Sequence, residues 1–114
     1  MTPEDAVRAF FAAYSQGHPE QFDDCVSPDY VDYGHTPPGR GPQGARDDYE
    51  HAVQVAGGVP RYDIDALVLR DDTVAAAWTG HLPNGSDFRG LSLYQVTEGK
   101  VAETRHTSIG PLPT

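Results

Sequence analysis

The apolar positions of the first half of the chain repeat with the period of a helix, and those of the second half with the period of a strand. Val7, Phe10, Phe11 and Tyr14 fall at i, i+3, i+4 and i+7, one apolar stripe. Thr2 stands before it as an N-cap, Pro3 suits the first helical position, and Asp5 completes a T-x-x-D capping box. Gly17 stops this helix. Pro19 and Glu20 open a second, short helix with Phe22, Cys25 and Val26 on one side, and Ser27-Pro28-Asp29 breaks it. Tyr30 to His35 reads as a short strand followed by a Pro/Gly loop. A third helix runs from about Gln43 to Ala56 with Ala45, Tyr49, Ala52, Val53 and Ala56 inward. Gly57-Gly58 caps it, and Pro60 prevents its resumption.

RYDIDALVLR, TVAAAWTGHL, FRGLSLYQVT and KVAETRHTS then read as four strands. Asp71-Asp72, Asn84-Gly85 and Glu98-Gly99 join them, and the last two are hairpin signals. Helices first and an antiparallel meander after them predict an α+β fold, with three N-terminal helices packed on one face of a curved sheet. Two-residue turns at Asn84-Gly85 and Glu98-Gly99 pair Trp78 with Leu91 and Leu91 with His106. These three side chains then share one sheet face, with Ala76, Leu93 and Thr104 in the next row. Glu103, Arg105 and Tyr94 point the other way.

With 114 residues, the chain is expected to be a single domain. Its 17 acidic residues against 8 basic ones give a formal charge of −9, with no basic stripe. Nucleic acid is therefore not an expected partner, and an anionic membrane surface would repel the chain. No apolar run approaches the roughly 18 residues of a membrane span. The N-terminus lacks the basic and apolar regions of a signal peptide. Cys25 is the sole cysteine, so no internal disulfide and no cysteine-based metal site is expected. The expectation is a reduced, cytoplasmic domain.

GRGPQG spells G-x-G-x-x-G with glycines at 39, 41 and 44. A dinucleotide fingerprint must end a strand, open a helix and sit inside a parallel β-α-β unit. Here Pro37-Pro38 separates the strand from the loop, and Pro42 removes a backbone N–H where a phosphate needs one. An antiparallel meander also has no topological switch point. The glycines are expected to let the chain turn tightly into the third helix.

The stretch AFFAAYSQGHPEQFDDCVSPDYVDYG, the later GPQGARDDY and the VTEGKVAETRH hairpin resemble the nuclear transport factor 2-like superfamily, and within it the SnoaL-like polyketide cyclases. The resemblance spans nearly the whole chain. It implies a cone, in which a curved antiparallel sheet wraps around helices and encloses a deep, mostly apolar pocket, often as a homodimer through the outer sheet face. Members of the superfamily include cyclases, ketosteroid isomerase, limonene epoxide hydrolase and non-catalytic ligand binders, so function must come from the site. The SnoaL-like pattern tends to place a histidine where this chain has Tyr33; here the histidine is His35, two residues on. On the last strand the cyclases commonly carry an acidic residue after E-x-W. Here Glu103-Thr104-Arg105-His106 puts Arg105 at the tryptophan position and His106 at that of the acid. Tyr14 lies one turn beyond the position of the isomerase's oxyanion-hole tyrosine.

His35 and His106 are the candidate acid/base pair, because imidazole titrates nearest neutrality and can move a proton beside a carbonyl. The alternatives are a strand histidine satisfied by a local partner for His106 and a solvated loop residue for His35. Tyr33 is expected to share a face with His35 and to hold a substrate oxygen. Trp78, Leu91, Leu93, Tyr14 and Tyr49 are the candidate pocket wall, although tyrosines on apolar faces are also ordinary core residues. Asp32, alternating with Tyr33, is expected to face out, as are Asp63 and Asp65. The five histidines show no HxH, HxxxH or HExxH spacing, so no metal is expected, nor any other cofactor. No G-x-S-x-G supports a serine hydrolase. An epoxide hydrolase needs an Asp-Arg-Asp arrangement, and the register keeps Arg89 and Arg105 away from Trp78. The leading expectation is a cofactor-free enzyme that cyclises or isomerises a hydrophobic carbonyl compound. A binding or dimerisation module of the same fold is the alternative.

Overall fold

The computed structural model describes residues 1–109. Helix α1 spans Pro3–Ser15, and its capping box forms as its residues require: Thr2 Oγ1 accepts from the Asp5 N–H and the Asp5 carboxylate accepts from the Thr2 N–H. A single turn, Pro19–Gln21, leads into α2, Phe22–Cys25. Strand β1 follows at Val26–Asp32, then the two-residue β2, Gly39–Arg40, and α3, Gly41–Ala56. Gly57 closes α3 in the left-handed region, φ 74°, which glycine enters without a Cβ penalty. The meander comprises β3 Arg61–Arg70, β4 Thr73–His81, β5 Asp87–Thr97 and β6 Lys100–Ile109. No helix among the described residues is long and apolar enough to cross a membrane.

The six strands form one sheet in the order β2-β1-β6-β5-β4-β3. The meander is antiparallel as expected, while β1 runs parallel to β6, so the sheet is mixed. Strand β1 also starts earlier than its Ser-Pro-Asp suggests. Pro28 is tolerated because the β1–β6 register breaks between Val26 and Val31, where the ladder does not demand its missing N–H. The strand ends at Asp32, and Tyr33 to His35 turn away from it.

Two departures from ideal hairpins set the register. Leu82 to Ser86 form a five-residue loop, closed by Leu82 and Ser86, so Trp78 pairs with Gly90 rather than Leu91. In β6, Ala102 is an extra residue: Val96 pairs with Val101, but Gln95 pairs with Glu103. Such a bulge shifts everything beyond it by one, so His106 pairs with Ser92 and Leu91 with Thr107. The two shifts cancel for Trp78 and His106, which share the concave face. They do not cancel for Leu91 and Leu93.

The helices fill the concavity. Val7, Phe10, Phe11 and Ala13 of α1 are buried with Phe22, Tyr30, Val74, Trp78, Tyr94 and Val96 in one core. Each large side chain contributes about 1.5–3 kcal/mol by leaving water.

Candidate active site

Between α1, α3 and the concave sheet face lies a cavity of about 240 Å³. Its walls divide by chemistry. At one end Trp78, Tyr62 and Phe88 meet edge to face, with ring centroids 5.3–6.0 Å apart. Gly90 makes room for the indole: a Cβ there would lie 2.2 Å from Trp78 Cζ2. The indole Nε1–H donates to Ser92 Oγ at 2.8 Å, which fixes the ring plane.

The other end is polar. Asp32, His35, Asp48 and His106 line it together with Thr104 and Ser108. Asp32 is 4 % exposed, and its Oδ1 accepts from the Gly34 N–H at 2.7 Å. His35 Nε2 stands 3.4 Å from Asp32 Oδ2 and 3.5 Å from Asp48 Oδ1. His106 Nδ1 stands 3.9 Å from Asp32 Oδ1, and the two imidazole centroids are 5.9 Å apart. Asp48 Oδ2 is buried without a hydrogen-bond partner. Burial first, then a hydrogen bond and repulsion from Asp32, push the Asp48 carboxyl up to about 8. Asp48 thus keeps its proton at neutral pH beside Asp32.

Local backbone explains each placement. Tyr30 and Asp32 are two residues apart on β1, so both face inward; Tyr30 donates to Thr104 Oγ1 at 3.1 Å across the parallel pair. Gly34 lacks the Cβ that would lie 2.2 Å from His106 Cε1, so the ring can sit against the turn. The three loop glycines serve the same end. A Cβ on Gly39 would lie 2.8 Å from Asp48 Oδ2, and one on Gly44 would lie 2.8 Å from the Gly39 carbonyl carbon. Gly41 takes φ 65° to start α3. The GRGPQG stretch therefore packs α3 close enough to aim Asp48 at the cavity.

His35, His106, Trp78 and Tyr14 all line the cavity. The Tyr14 hydroxyl is held well above its usual range, chiefly by burial. Four expected residues lie elsewhere. Tyr33 is 46 % exposed on the outer side, with the Arg105 guanidinium 4.2 Å above its ring, because β1 ends before it and its inward neighbour is Asp32. Leu91 and Leu93 are 46 % and 45 % exposed on the convex face, moved there by the bulge and the longer loop. Tyr49 is buried against Tyr14 and Phe22 rather than lining the cavity. Tyr94, expected on the opposite face, points inward instead, and Thr104 faces inward as expected. Asp32 and Asp48 were the residues missed. Asp48 stands three residues after Ala45 and four before Ala52, squarely on the inward stripe of α3, which is the signal that marks it. The Asp32, His35 and His106 ligand atoms also lie within 4.8 Å of one another, a metal-capable set that pairwise sequence spacing does not reveal.

A family model described as a SnoaL-like domain matches residues 7–104. No curated protein matches the chain. Among solved structures, IdmH, a candidate polyketide cyclase from Streptomyces antibioticus, superposes with a TM-score of 0.79 at 18 % identity, covering 95 % of this chain and 92 % of its own. A candidate polyketide cyclase from Bacillus cereus gives 0.80 at 20 % identity, covering 90 % and 71 %. TerC, co-crystallised with polyporic acid, gives 0.81 at 16 % identity, covering 94 % and 91 %. At these identities the likeness concerns the fold.

Proposed function

Because the chain belongs to the SnoaL-like family, we propose that it binds a flat, hydrophobic carbonyl compound and moves protons on it, in a cyclisation or isomerisation. One observation carries the reading: two imidazoles and a carboxyl pair converge on the polar end of an otherwise aromatic cavity. The ring system of the substrate lies against Trp78 with its carbonyl toward Asp48. One imidazole takes a proton from the carbon beside the carbonyl, Asp48 hydrogen-bonds the oxygen as charge develops there and keeps its own proton, and the second imidazole, entering protonated, delivers one proton elsewhere, so the substrate loses one and gains one. Asp32 orients His35 and stabilises whichever imidazolium forms. The cyclase neighbours and the TerC complex with polyporic acid support the substrate class.

The experiment is proton–deuterium exchange at the carbon beside the carbonyl of 2-tetralone, followed by NMR with EDTA present. Exchange accelerated by the protein and lost in His106→Gln supports the enzyme. Binding without exchange assigns the chain to the second reading, a ligand-binding module. The 3.4–3.9 Å separations within the polar cluster, longer than hydrogen bonds, favour that alternative. An epoxide hydrolase gains no support, since Arg105 faces out over Tyr33.

The same reading includes a homodimer. Val68, Leu91 and Leu93 form an exposed apolar strip on the convex face with Ala66, Ala75 and Ala77, the kind of patch that marks an interface. Light scattering should give twice the monomer mass for the native chain and the monomer mass for Leu91→Asp/Leu93→Asp.

A further inference from the structure

We propose that Asp32, His35 and His106 form an open-sided site for a divalent first-row transition metal ion, with zinc the best fit to the donors. The inference goes beyond the cyclase reading and does not depend on it.

Geometry comes first. One ligand atom from each residue lies within 4.8 Å of the other two. Bonds of about 2.0–2.2 Å to a tetrahedral ion place neighbouring ligand atoms about 3.4 Å apart. His35 Nε2 and Asp32 Oδ2 are already at 3.4 Å. His106 Nδ1 is 3.9 Å from Asp32 Oδ1, and no ligand atom of the set is more than 4.8 Å from another, so the ring has to approach by up to about 1.4 Å, which rotation of a half-exposed imidazole supplies.

Donor chemistry comes second. Two imidazoles and one carboxylate suit zinc, cobalt or iron, whereas calcium and magnesium take oxygen ligands. No Lys or Arg lines the cavity among the described residues, while the Asp32 carboxylate does, so the field favours a cation. Three protein ligands leave a coordination position facing the cavity, the pattern of a catalytic rather than a structural site.

Support around the ligands comes third. The Gly34 N–H holds Asp32 Oδ1 at 2.7 Å and leaves Oδ2 for the ion. The missing Cβ of Gly34 gives the His106 ring its seat. Asp48 Oδ1, 3.5 Å from His35 Nε2, is placed as a fourth ligand or as an acceptor for a metal-bound water, and its Oδ2 lacks any other partner. Ligands drawn from the end of β1, the turn after it and the end of β6 explain why no local histidine motif announces the site.

The test uses the full chain stripped with EDTA. Zinc is titrated by calorimetry, and cobalt by its visible absorption. The expected result is one ion per chain, cobalt bands of a four- or five-coordinate site, and binding at least about 10-fold weaker in His35→Gln and in His106→Gln. His81→Gln should bind as the native chain does. Imidazole NMR of the native chain needs no variant: zinc should shift His35 and His106 most and leave His18 and His81, which lie outside the cavity, in place. Absence of binding, binding that survives His35→Gln/His106→Gln, or shifts confined to the other histidines would overturn the proposal. Because the 2-tetralone experiment runs in EDTA, failure of the metal site and failure of the acid/base reading are separate results.

Discussion

Among the described residues stand two clusters of histidine and aspartate, and they are built in opposite ways. On the outside of the meander His81 lies between two carboxylates, with Nδ1 2.7 Å from Asp87 Oδ1 and Nε2 2.8 Å from Asp63 Oδ2. Both ring nitrogens are engaged at full hydrogen-bond contact, which requires both to donate, so the ring carries its proton. It ties β3, β4 and β5 together and leaves nothing for a ligand. At the end of the cavity the same residue types stand 3.4–3.9 Å apart, with one carboxyl oxygen buried and unpartnered. A cluster that satisfies itself is scaffold; one held just short of satisfaction by its surroundings is prepared for something else.

The sharpest way to break this contrast is to neutralise one histidine in each cluster. His106→Gln should lower the exchange rate on 2-tetralone by about 10²–10⁴-fold, the range for a positioned acid or base, while His81→Gln leaves it unchanged. Equal effects would erase the distinction.

A smaller effect concerns Asp48. Its folded carboxyl lies above its unfolded value, so the folded state holds the proton more tightly. Stability supplied by that proton is full below the usual carboxylate range and falls as pH rises toward about 8. Chemical denaturation of the metal-free chain should show a slope of at most about 1.4 kcal/mol per pH unit across that window. Asp48→Asn, an uncharged near-isostere, should flatten it; an unchanged slope would place the proton elsewhere.

The smallest effect belongs to His81. Hydrogen bonds to Asp87 and then Asp63 raise its pKa. Its contribution is full below the ordinary histidine range and is lost as pH rises through the raised value, a drift that His81→Gln should remove from pH-dependent thermal melts. Since the cluster is solvent-exposed, salt should weaken the same drift.

Much of the fold was legible because local rules fix it. Thr2, Pro3 and Asp5 announce α1, Gly57 ends α3, and the hairpin signals deliver the meander. The site was half legible. His35, His106, Trp78 and Tyr14 reach the cavity as expected from face and resemblance. Leu91 and Leu93 do not, because face assignment on a strand depends on a register that one added residue reverses, and Tyr33 does not, because β1 ends before it. Counting from Tyr33, which lies beyond the strand, puts Asp32 outside; counting from Tyr30 puts it inside. Asp48 was overlooked because a charged residue on an inward helix stripe reads as a solvated edge until a partner such as Asp32 is known to face it.

The extra residue at Ala102 decides which lining this pocket has. Strand β6 encodes two complete linings, Thr104 and His106 on one side and Glu103, Arg105 and Thr107 on the other. Deleting Ala102 would only straighten the strand, since Glu103 already stands opposite Gln95 and His106 opposite Ser92. Drawing Ala102 into the ladder would instead slide the rest of the strand by one and turn Glu103 and Arg105 inward without one substitution. The choice between an imidazole and a guanidinium at the polar end thus rests on a backbone irregularity as much as on the side chains, and substitutions near the Glu98-Gly99 turn can edit the pocket without touching it.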